Sequence, residues 1–217
     1  MGTSLEVTEW MRGYIGMGAT DVDAGFIAGL DAGTRFEHEV CIEMDDIDRF
    51  IREPTHSATM TGHIDCAALG GRRELVDGTF NMLVDAPAPG LRLMFYRMPL
   101  TDDGGPHVTV LGHKTIHDDN ALDLWSDITT LSIQVFEGDV AGPEIATAAL
   151  GPAHAPPERR IAAGRLHIET SDGFRSARSF RAPGASRGDA ILAVEKFVSF
   201  YLSHLWNVFG PFARVQS

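Results

Sequence analysis

Lys114 lies on the run His107–His117, with His113 beside it and His117 three residues on; Asp118, Asp119, Asp123 and Asp127 follow, gathered around Trp125. An amine, imidazoles and carboxylates this close could hold a metal, move a proton or orient a polar ligand. The backbone that carries them decides which. On a helix, His113 and His117 would share a face one turn apart and suit a single metal ion. On a strand they stand roughly 13 Å apart, at about 3.3 Å per residue, and cannot share one. The run alternates, so a strand is expected. Val108, Val110, Gly112, Lys114 and Ile116 then share one face, and His107, Thr109, Leu111, His113, Thr115 and His117 share the other. If the valine face is the interior, Lys114 points inward, and a buried ammonium needs a carboxylate or strong acceptors. The nearby aspartates are the expected partners. The competing reading has Lys114 snorkelling at the strand end to meet one of them.

The remaining motifs carry less chemistry. His63 and Asp65 are two apart on one strand face, roughly 7 Å between Cα atoms, and would need a third ligand from a neighbouring strand to chelate. The four aspartates could offer oxygens to calcium, but their spacing lacks the central turn glycine of a calcium loop. They read first as a hydrated turn between two strands, with Trp125 an anchor packed beneath it. GASRG, from Gly184 to Gly188, has the nucleophile-elbow pattern. The acids after it, Asp189 and Glu195, and the one later histidine, His204, all fall on the same expected helix, so Ser186 reads as a helix cap. GMGATD, from Gly16 to Asp21, departs from a dinucleotide fingerprint where Asp21 would repel a pyrophosphate. No metal, cofactor or catalytic residue is therefore expected.

The elements that must position these residues are mostly strands. Phe36, His38, Val40, Ile42 and Met44 alternate with Glu37, Glu39, Cys41 and Glu43, the pattern of a half-buried antiparallel strand. Similar runs cover Ser57–Cys66, Gly78–Val84, Leu91–Met98, His107–His117, Ile128–Glu137, Ile161–Thr170 and Phe174–Ala182. DAPAPG, TDDGGP and TSDG between them are turn chemistry. One helix is expected with Thr20 as its cap, stopping at Gly33, and a second from about Asp189 to Phe209, with an apolar stripe wide enough for deep burial. Gly13, Gly62, Gly112 and Gly164 are 49, 50 and 52 residues apart within strand-like runs. Such glycines mark bends or close backbone approach. The expected fold is mainly β with minor α: a strongly curved antiparallel sheet or closed barrel of about eight or more strands, with a short N-terminal helix and a long packed C-terminal one. Residues 1–217 form one domain, with 141–160, rich in alanine and proline, as a long surface connection.

The composition narrows the partners. The 217 residues carry a net charge of −12, which disfavours a phosphate backbone, and no basic patch stands out. No apolar run reaches the ~18 residues of a membrane span. The first residues lack the basic start and apolar stretch of an export signal, so a cytoplasmic protein with Cys41 and Cys66 as free thiols is expected.

MTGHIDCAALGG, MFYRMPLTDDGG, LGHKTIHDD and DLWSDITTLSIQV occur in succession. Together they resemble an accessory, non-flavin segment of bacterial GMC oxidoreductase and cholesterol-oxidase-like multidomain proteins, where it lies beside flavin and α/β-hydrolase modules. The resemblance spans roughly Met11 to Phe209. It implies a module associated with sterol or lipid metabolism and transfers no site residues. Three functions follow as expectations. A barrel cavity could bind a hydrophobic, sterol- or lipid-like molecule, with Lys114, Asp127, His63, Trp125 and Tyr96 as the ligand-binding set and Phe80, Met82, Met94, Phe95, Tyr96 and Met98 as apolar bulk. Alternatively, Lys114, Asp127 and His63 could serve a cofactor-independent isomerase or lyase, which requires at least two of them at one pocket. Or the chain docks to an oxidoreductase or hydrolase partner.

Overall fold

The computed structural model describes residues 2–86, 90–101, 105–117, 124–141 and 157–209, with the backbone alone at 124 and 205–209. Strands β1 (Leu5–Met17) and β2 (Arg35–Met44) flank helix α1 (Val22–Ala32). Helix α2 (Ile47–Arg52) leads into β3 (Ser57–Cys66), the short β4 (Gly71–Glu74), β5 (Gly78–Asp85), β6 (Leu91–Pro99) and β7 (Val108–His117). Helix α3 (Leu124–Thr129), β8 (Thr130–Glu137) and β9 (Arg160–His167) follow, then α4 (Thr170–Ala177) and α5 (Arg187–Phe209).

All strand pairings are antiparallel. Going round, the order is β1–β9–β8–β7–β6–β5–β3–β2, and β2 pairs back to β1, closing an eight-stranded barrel. β4 lies outside this ring, paired to the last residues of β3. Closure follows from the alternation: each strand offers one apolar face, and a curled sheet buries all of them together. The curl needs strands to approach closely. A Cβ at Gly164 would sit 2.1 Å from the Tyr14 carbonyl oxygen, and one at Gly13 would sit 2.0 Å from that of Arg165. Only glycine fits where β1 crosses β9.

The two halves of the barrel differ. One half is solid: Ile15, Phe36, Ile64, Met98, Val108, Val110, Ile133 and Val135 fill it and are all buried. The other end is covered by helices. α5 lies against α2, where Phe50, Phe197 and Phe200 meet with ring centroids 5.8 to 6.4 Å apart, and Lys196 pairs with Asp48 at 2.7 Å. α4 is held to the outer face of β1 by Arg12, which reaches the buried Asp172 at 2.6 Å, and by Arg175 stacked over Trp10.

Several expectations are corrected. Phe174–Ala182 is not a strand. Its first residues belong to α4, and only Arg181 pairs in extended form, with Glu6 on β1. Phe174, Ser176, Phe180 and Ala182 mimic a period of two, but residues 174–177 continue α4, whose Asp172 pairs with Arg12. Residues 128–129 belong to α3, not β8, and β9 ends at His167. Ile191, Val198 and Leu202 on α5 are exposed, so its stripe is buried only in part, along Ala193, Phe197 and Phe200. α1 is capped by Asp21 rather than Thr20, its carboxylate accepting from the Ala24 backbone N–H, and ends at Gly33 as expected. α2, capped by Asp46, was not expected at all. Ser186 does cap α5, accepting from the backbone N–H of Asp189 at 3.2 Å. Cys41 and Cys66 are free thiols. Most of the expected connection 141–160 lies outside the described residues. No helix among the described residues is long and apolar enough to cross a membrane.

Candidate functional site

β1 brings an acid into the barrel. Leu5, Val7, Glu9, Met11, Gly13 and Ile15 alternate inward, so Glu9 interrupts an otherwise apolar face. β7 does the same with Lys114, whose side chain is 2% exposed. The two meet across the interior, Lys114 Nζ donating to Glu9 Oε2 at 2.8 Å. Tyr96 on β6 donates its hydroxyl to the same oxygen at 3.3 Å, and its ring lies 5.3 Å from the ammonium. His38 on β2 stands behind the carboxylate, with Nε2 3.5 Å from Oε1. Its ring stacks on Tyr96 at 6.5 Å between centroids.

The electrostatics follow from the burial. Desolvation opposes charge on Glu9, but the Lys114 ammonium and the His38 ring outweigh it and lower the carboxyl to about 2. Glu9 is therefore ionised at neutral pH. Burial, then the Glu9 charge, push the Tyr96 hydroxyl well above its ordinary range. The same two causes push Tyr201 on α5 up to about 12. Both phenols are neutral hydroxyls.

Glu9, Tyr96, Lys114 and Tyr201 line a cavity of about 470 Å³ at the helix-covered end. Its walls are otherwise mainly apolar: Ile42, Phe80, Met82, Met94, Phe180 and Phe197 among them. Trp125, Phe174 and Leu202, 58%, 66% and 57% exposed, lie along its mouth.

Of the expected ligand-binding residues, Lys114, Tyr96 and Trp125 share this cavity. Of the expected apolar bulk, Phe80, Met82 and Met94 line it with Tyr96, whereas Met98 packs in the main core off the lining and Phe95 packs with Leu93 in a separate cluster. Trp125 is no packed anchor: α3 turns it outward while Ile128 packs inward. Asp127 is off the cavity lining, accepting from the His117 backbone N–H at 3.0 Å and lying 3.2 Å from its ring. It ties α3 to the end of β7 and does not hold Lys114. His63 lies on the outer face of β3, beside Arg72 at 3.2 Å. Lys114, Asp127 and His63 thus do not meet at one pocket. Asp118, Asp119 and Asp123 lie outside the described residues. No group of metal-holding side chains occurs among the described residues.

Sequence reasoning missed Glu9 as Lys114's partner and gave Tyr201 no part in the site. The signal for Glu9 was present in LEVTEWMRGYI, a long alternation with an acid on its apolar face. No protein-family model, curated protein or solved structure matches the chain.

Proposed function

We propose that this protein binds an apolar small molecule, sterol- or lipid-like, in the helix-covered end of its barrel, as an accessory module rather than a catalyst. The carrying observation is the cavity itself. At about 470 Å³ it falls within the range of small-molecule pockets, and its walls are predominantly apolar with a few polar groups converging on one side. That combination favours a ligand with a long apolar body and one polar end. The sterol or lipid assignment draws on the resemblance to the segment beside flavin and hydrolase modules.

Trp125 is the natural reporter, since it stands at the cavity mouth. Titration with a panel of sterols, long-chain alcohols and acyl compounds is expected to give saturable quenching of tryptophan fluorescence, and Trp125→Phe is expected to lose most of it. Absence of saturable binding by every panel member would falsify the proposal.

The exposed apolar rim supports a second role, docking to an oxidoreductase or hydrolase that exchanges ligand with the barrel. Trp125, Phe174 and Leu202 are large and apolar, and they sit together where a ligand would pass. Co-purification of such an enzyme from the native host, lost in Phe174→Asp, is the expected result. A chain that elutes without any partner counts against this role.

A further inference from the structure

The charge at the cavity floor sets the kind of polar end a ligand can have. Glu9 and Lys114 are the ionised groups on the described lining of the cavity, and they face one another at 2.8 Å. Their charges cancel on the lining; His38, behind Glu9 with Nε2 3.5 Å from Oε1, lies off it. Lys114 has three N–H donors. Among the described residues Glu9 is its one hydrogen-bond partner, so donors remain for a ligand.

An arriving carboxylate would meet the ammonium, but it would also lie beside Glu9 with one cation for two anions. In an apolar cavity that leaves an uncompensated buried charge, which is costly. An arriving ammonium meets the mirror-image problem: it is drawn to Glu9 and repelled by Lys114. An uncharged oxygen meets neither. It can accept from Lys114 without separating the pair. Tyr201, a neutral hydroxyl on α5 at the same cavity, can offer a further hydrogen bond.

We propose that the cavity selects ligands whose polar end is an uncharged oxygen, an alcohol or a ketone, and excludes fatty-acid carboxylates and amines. The Glu9–Lys114 pair is the selecting element. It keeps the floor polar enough to orient one end of the molecule and neutral enough to refuse a charge. This rests on the reading of the cavity as a ligand site and goes beyond it by naming the ligand's chemistry.

The test compares matched probes on the full chain near neutral pH: dodecanol against dodecanoate and dodecylamine, and a 3-hydroxy and a 3-keto steroid against a steroid carboxylate. The uncharged member of each set is expected to bind at least about tenfold more tightly than its charged partners. Glu9→Gln removes the competing anion and is expected to raise dodecanoate affinity by about tenfold. Wild-type protein that binds dodecanoate as tightly as dodecanol overturns the selection. A folded Glu9→Gln protein with unimproved dodecanoate binding overturns the role of Glu9. Should that variant not fold, the wild-type comparison decides alone. The two readings fail differently: equal binding by charged and uncharged probes removes the selection and leaves the ligand site, whereas no binding by any probe removes both.

Discussion

A lysine sealed inside a barrel has to be held by something, and here the holder is Glu9, 105 residues away along the chain. Pairs of this kind are poor stabilisers. The desolvation of both charges offsets much of their attraction, while loss of one partner leaves the other stranded. Lys114→Met is accordingly expected to cost about 3–5 kcal/mol, and Glu9→Gln with Lys114→Met together much less, measured by urea unfolding. A double variant as damaged as the single one would mean that the pair is not a coupled unit. The same pair gives the molecule an acid sensitivity. Glu9 titrates at about 2 in the folded chain against an ordinary value of 4.5. Its contribution to stability is complete above pH 4.5 and is lost as pH falls through about 2. The double variant is expected to show a flatter stability profile than wild type across that window.

At the scale of elements, seven of the eight barrel strands were legible because most keep one polar face; β1 was seen only as a strand-like run around Gly13, and β4 not at all. β3 runs from Ser57 to Cys66 as its alternation predicts, and β2 differs from its expected bounds by one residue. The same rule misled at Phe174–Ala182, where a spurious alternation lay over the last residues of α4 and the segment after it. Helical periodicity likewise overrated α5, whose apolar stripe is wider than the surface that covers it. The alternation of its own strand offered an inward Lys114 beside a reading in which it snorkels to an aspartate, and the inward arrangement is the one found. Its partner was not foreseen: the alternation that turns Glu9 inward is readable in β1, but that β1 and β7 face each other across the interior is a property of the closed barrel and not of either segment. The glycines were legible as bends, and Gly164 tests that reading. Gly164→Ala places a methyl group 2.1 Å from the Tyr14 carbonyl oxygen, a backbone atom with no freedom to yield. A loss on the order of 1–3 kcal/mol is expected, seen as a lower Tm with the same circular dichroism at low temperature. An unchanged Tm would show that β1 and β9 can separate without penalty.

At the scale of the whole molecule, the barrel is solid at one end and hollow at the other, so a ligand and the fold support each other. A ligand that enters the cavity is expected to raise the unfolding free energy by about 2.7 kcal/mol at a hundredfold excess over its Kd, read as an upward Tm shift. A compound that binds the folded and the unfolded chain alike should leave Tm nearly unchanged.

The way the ring closes also sets an order of events. β1, β2, β3, β5, β6 and β7 follow one another round the barrel, and each pairs with the one before it. That sheet can assemble while the chain is still emerging from the ribosome. β9 alone bridges β8 to β1. Until Arg160–His167 is available, two strand edges stay bare, the future interior faces water, and the contact between the earliest and latest strands carries the full loop-closure penalty. Closure by β9 is therefore expected to be the slow step, and the nascent chain is most open to aggregation just before it.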